Sequence, residues 1–150
     1  MSTHQDRIET ALLAGDWDRV GYEASEWARA VETAGEKDPR PYFALNVTHL
    51  IRGEFADAWR VDARALQEPD DIERVREWVQ SIAVNHAGNA QTHLVQGLFL
   101  AQSGQSEQSM ASYKEAAKLA PQSPYPHYFM AQINERAAHL EMAIKEYREA

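Results

Sequence analysis

Ser112-Tyr113-Lys114-Glu115-Ala116 returns 34 residues later as Glu146-Tyr147-Arg148-Glu149-Ala150, and the residues around it return with it. His93 is answered by His127, Gly97 by Ala131, Gly104 by Ala138 and Met110 by Ile144. A fixed period of this size marks stacked supersecondary units, none of which can bury its apolar face alone. Apolar residues recur at three and four positions and no stretch alternates for long, so the units are helical. Arrays of this kind present a curved surface to other proteins and seldom carry chemistry of their own.

Outward from the repeat, the same periodicity predicts helices over the whole chain. They run from Gln5 to Ala14, through Trp17 to Val31, from Pro41 to Arg52 and from Phe55 to Leu66. Another follows at about 70–86, where Asp70 and Glu73 have capping-box spacing ahead of the stripe Ile72, Val75, Val79 and Ile82. Two helix pairs finish the chain: Ala90–Gln102 with Ser106–Leu119, then Pro124–Ala137 with Leu140–Ala150. Ser123-Pro124 reads as a cap followed by proline in the first helical position. Gly15, Gly53 and Gly104 punctuate the pairs, with Ala138 at the last turn. The expected organisation is one domain, 1–150, of about four units (2–34, 40–68, 90–121 and 124–150). The turn spacing of 51 residues between Gly53 and Gly104 leaves room for one inserted helix at about 70–86.

Composition narrows the function. The net charge of -8 argues against nucleic acid and against an anionic membrane surface, both of which need clustered Lys and Arg. No run approaches the roughly 18 apolar residues of a membrane span. The start of the chain has no basic segment leading into an apolar one, so a signal peptide is not expected. With no cysteine there is no disulfide, thiolate zinc site or cysteine nucleophile. A cytoplasmic setting fits these features.

The helix–turn–helix units resemble the tetratricopeptide repeat family. The third unit carries Gly97 at the small site of its first helix, Gly104 at the turn, Tyr113 and Ala116 in its second helix and Pro121 at its end. The fourth matches through Ala131, Ala143, Tyr147 and Ala150. Tyr42, Leu45, Gly53, Phe55, Ala58 and Ala65 carry the second, and Gly15, Trp17 and Ala24 the first. Asp62, Asn46 and Ser109 depart from the pattern. The resemblance implies an all-α, right-handed solenoid of antiparallel helix pairs, whose first helices line a concave groove. By register the groove would be faced by Phe43, Val47, Leu50, Leu94, Leu98, Gln102, Tyr128, Gln132, Glu135 and Arg136. Several of these could instead pack against the inserted helix or a neighbouring unit. One subgroup of the family, the chaperone adaptors, clamps a carboxylate with Lys, Asn and Arg. The matching positions here, Gln5, Glu9, Phe43, Val47, Leu94, Leu98, Tyr128 and Gln132, supply no such clamp.

No enzymatic activity, cofactor or metal is expected. There is no phosphate loop, nucleophile elbow or dinucleotide glycine pattern. His93 and His127 occupy equivalent sites where a large residue packs, His49 faces the core, and His4 and His139 look outward. Trp17, Trp27, Trp59 and Trp78 fall on apolar stripes and are expected in the core. The expected function is a scaffold that binds a helix or extended peptide of a partner protein. Two other readings stay open: the substrate-selecting part of an enzyme continuing past Ala150, and a module that self-associates through its C-terminal helix pair.

Overall fold

The computed structural model describes residues 3–149, and the side chains of all of these but 62–64, 142, 143, 147 and 149. Ala143, Tyr147 and Ala150, which carry part of the repeat pattern, and Asp62, which departs from it, therefore lie outside the described residues or side chains. Eight α-helices follow one another, with no strand among the described residues: α1 (His4–Leu13), α2 (Trp17–Thr33), α3 (Arg40–Ile51), α4 (Phe55–Ala65), α5 (Pro69–Asn85), α6 (Ala90–Gln102), α7 (Ser106–Leu119) and α8 (Tyr125–Glu149). The architecture is all-α, as the periodicity predicts. Among the described residues no helix is long and apolar enough to cross a membrane.

Local chemistry sets the helix starts. Thr3 accepts the Asp6 amide while Asp6 takes the Thr3 amide, a reciprocal box that caps α1. Asp16 caps α2 through the Arg19 amide. Asn89 caps α6 through the Gln91 amide, and its Nδ2 donates to the Leu13 carbonyl 2.9 Å away. One asparagine thus joins the start of α6 to the end of α1. At α5 the expected Asp70–Glu73 box is absent. Glu68 holds the cap position without a side-chain bond, and Pro69 enters the first turn. Asp70 and Asp71 instead place negative charge against the positive end of the helix. The start of α8 is also shifted: its first residue is Tyr125, and Pro124 supplies a carbonyl to the Tyr128 amide.

Burial explains the layering. In α3 and α6 apolar residues occupy most of the helix circumference, as suits central helices with neighbours on several sides. Phe43 of α3 meets Phe99 of α6 edge to face, with ring centroids 5.9 Å apart. The inserted helix α5 does not extend the array outward. Its face of Val75, Trp78, Val79 and Ile82 joins Leu12, Val20, Phe43, Val47 and Val95 in one core. Trp78 packs edge to face on Trp27 at 6.0 Å and donates its indole N–H to Glu9 at 2.8 Å. Arg40 lies 4.9 Å over the Trp27 ring, and its guanidinium is held by Asp38 and Gln5. Helix α5 is thereby fastened to both helices of the first pair.

The last pair differs from expectation. Residues 125–149 form one continuous helix of 25 residues, without a turn at Ala138. The reason lies in one Cβ. Gly53 and Gly104 turn the chain at φ 75° and 79°, in the left-handed region. An alanine there costs roughly 1–2 kcal/mol, so at Ala138 the backbone continues as helix.

Candidate functional site

Four of the ten expected groove residues are interior. Phe43, Val47, Leu94 and Leu98 are each 3% exposed or less. Helix α5 covers Phe43 and Val47, whose side chains line the same interior space as its Trp78, Val79 and Ile82, while Leu94 and Leu98 are buried with α6 in the common core. The other six lie on or near the surface. Leu50 and Gln132 are half-buried, whereas Gln102, Tyr128, Glu135 and Arg136 are exposed.

Leu50, Gln102, Gln132 and Arg136 come together. With Asn46, Phe55, Ala58, Trp59 and Ala101 they line an open pocket of about 440 Å³ bounded by α3, α4, α6 and α8. Its floor is a hydrogen-bonded relay. Gln102 Nε2 donates to Asn46 Oδ1 at 2.9 Å, and Asn46 Nδ2 donates to the Ala58 carbonyl at 3.1 Å. Asn46 is fully buried, so both of its polar ends need partners, and the relay supplies them from α4 and α6. Gln102 also donates to the Leu98 carbonyl one turn back, at 3.2 Å, which fixes its amide at the pocket wall. Leu50, Phe55, Ala58 and Ala101 supply apolar lining beside the polar Asn46, Gln102, Gln132 and Arg136, so the pocket is mixed in character. Trp59 is 77% exposed, contrary to the core position expected for it. Helix α4 packs chiefly on α3, and among the described residues its side at Trp59 meets solvent.

Chemically, the pocket offers an aromatic wall, amide groups from Gln102 and Gln132, and the cationic end of Arg136. It holds no nucleophile–base pair. Sequence spacing placed four of its members and missed Asn46, Phe55, Ala58, Trp59 and Ala101. Asn46 carried a signal, since it was the one polar residue at a site that takes small ones.

The titratable groups elsewhere are engaged in structure. Glu23 is buried between α1 and α2, where Arg7 Nε reaches it at 2.9 Å and Arg19 Nε at 3.2 Å. The Arg7 hydrogen bond, reinforced by the charges of Arg7, Arg19 and His4, outweighs burial and holds this carboxyl below the usual glutamate range. Burial alone would raise Asp38, but hydrogen bonds from Arg40 and the charges of Arg40 and Arg74 bring it below its ordinary value. Both are fixed anions, not proton donors. His4 is half-buried beside Glu23, not exposed as expected, because Arg7 and Glu23 draw its ring inward. His127 is exposed while His93 bonds to the Ala87 carbonyl at 2.6 Å, so the two equivalent histidines do different things. His49, Glu54 and Asp57 could together offer a cation three ligand atoms within 4.8 Å of one another. His49 Nδ1 already sits 3.0 Å from Glu54 Oε1.

No protein-family model, curated protein or solved structure matches this chain.

Proposed function

We propose that the chain is a protein-binding scaffold, a tetratricopeptide-like array that receives a partner's peptide in the pocket between α4 and α8. The pocket stands in for the groove expected over Phe43, Val47, Leu94 and Leu98, since all four of those residues are buried and α5 lies against the first two. The open pocket of mixed apolar and polar lining with the exposed Trp59 ring at its edge carries the reading. Large aromatic residues left in water beside a cleft are the usual anchors of recognition. Gln102 and Gln132 can bond a peptide backbone, and Arg136 favours a carboxylate beside the anchor. The ligand class is therefore a short peptide with a bulky apolar side chain flanked by Asp, Glu or a terminal carboxylate. A role in binding instead of catalysis is supported by the arginine-neutralised state of the buried carboxylates Glu23 and Asp38. A cytoplasmic setting is part of the same proposal, and the cysteine-free composition is compatible with it.

The test is a titration of the chain with arrayed peptides that vary the apolar anchor and the flanking charge. Trp59→Ala and Arg136→Glu should each weaken binding by about tenfold or more, since a hot-spot truncation is worth roughly 2 kcal/mol. Neither should alter the melting temperature appreciably. Equal affinity in both variants would place recognition elsewhere.

A further inference from the structure

The pairing of α6 with α7 shows what the last helix lacks. Tyr113 of α7 lies across Gly97 of α6 so closely that a Cβ there would fall 2.4 Å from the ring. Ser109 donates to the Gly97 carbonyl at 2.7 Å. One period later the seat is Ala131 and the tyrosine is Tyr147. Ala131 is exposed, although Gly97 is buried. Because α8 runs straight through Ala138, its second half projects away from the seat that its own sequence matches. Leu140 and Ile144 on that half are 63% and 45% exposed. The molecule therefore carries an uncovered seat and an uncovered helix of matching sequence on the same rod, which is about 37 Å long.

We infer that two copies of this chain exchange the C-terminal halves of α8, each half covering Ala131 of the other copy. The arrangement is isologous: one two-fold axis satisfies both seats, and no sticky face remains to propagate further. Charge permits it. The whole chain is strongly acidic, but the exchanged half sets Lys145 and Arg148 against Glu141, Glu146 and Glu149, so like-charge repulsion is local and weak. Exchange creates two pairings of the α6–α7 type at once, one at each seat. In the dimer the fourth repeat unit is completed by the second copy. The hinge is Ala138, whose resistance to the left-handed turn keeps the two halves in line.

The experiment uses the full cysteine-free chain, into which thiols can be placed without background. Light scattering across a wide concentration range should show a monomer giving way to a dimer. A 1:1 mixture of Ala131→Cys chains and Tyr147→Cys chains, treated with a short thiol-specific crosslinker, should give a covalent dimer containing one of each. Ala138→Gly restores the turn residue and should lower the dimer fraction at least tenfold. In that background, chains carrying both cysteines should crosslink within themselves. Leu140→Asp with Ile144→Asp should leave a monomer whose thermal transition is unchanged. A monomer at all concentrations would overturn the inference. So would a crosslink within single chains lacking the Ala138→Gly change, or a dimer in which Ala131 and Tyr147 of different copies do not join.

Discussion

Gly97 shows how much one missing Cβ can decide. In an exposed helix, Gly→Ala gains about 1 kcal/mol from propensity. Here the new methyl would strike Tyr113, which is buried and stacked on Phe129 with centroids 5.9 Å apart, so the ring has little room to move. Overpacking of this kind costs about 1–3 kcal/mol and should outweigh the propensity gain. Gly97→Ala should therefore lower the urea midpoint, and Gly97→Leu should lower it more. Tyr113→Leu should reduce the penalty of either change, a coupling that a double-mutant cycle reads directly. The same enclosure pushes the Tyr113 phenol up to about 12, chiefly by burial, against a hydrogen bond to Ser109 and the charge of Arg136 that pull it down.

Glu23 makes a second prediction at this scale. Its folded pKa lies below the ordinary value of 4.5, so its ionised form is favoured by folding. The stabilisation is fully present above that value and is lost as pH falls toward the lowered folded pKa. The chain should accordingly lose stability in acid below about pH 4.5, and Glu23→Gln should flatten that part of the profile. At neutral pH the substitution should cost on the order of 1–2 kcal/mol, because Arg7 and Arg19 remain partly in water and can rehydrate. Denaturant melts at several pH values measure both effects.

Among the elements, α5 has the largest effect on the shape of the binding surface. A single inserted helix packs over two would-be groove residues, Phe43 and Val47. Trp78 anchors it through the Trp27 ring and the Glu9 carboxylate. Trp78→Ala should cost about 3–5 kcal/mol, the range for losing a buried aromatic. If the variant stays folded, loosening of α5 should expose Phe43 and Val47 and raise binding of a hydrophobic dye. A stable variant with no added dye binding would mean that α5 is held mainly by its aliphatic stripe. Helix α8 teaches the converse lesson. Its sequence repeats that of a helix pair, but the turn between the two halves depends on one backbone angle. An alanine in place of glycine removes the turn while leaving the apolar spacing untouched.

Across the whole molecule, the sequence alone determined the fold class and the positions of the first seven helices to within a few residues. That much follows from periodicity, turn glycines and end residues, which act over a few positions along the chain. The extra helix was legible as well, as an excess in the spacing between turns. Where that helix lies was not, because docking depends on which distant faces leave apolar area uncovered. Phe43, Val47, Leu94 and Leu98 had the register of groove residues and lie in the core, the first two against α5. Trp59 had the pattern of a core residue and remains in water, on a side of α4 left open among the described residues. The pocket itself joins Asn46 to Gln102 across 56 positions of sequence, a relation that no local pattern encodes. Short-range order was written in the spacing of residues, whereas the tertiary structure alone decided which surfaces met, because burial is a competition among all apolar faces at once.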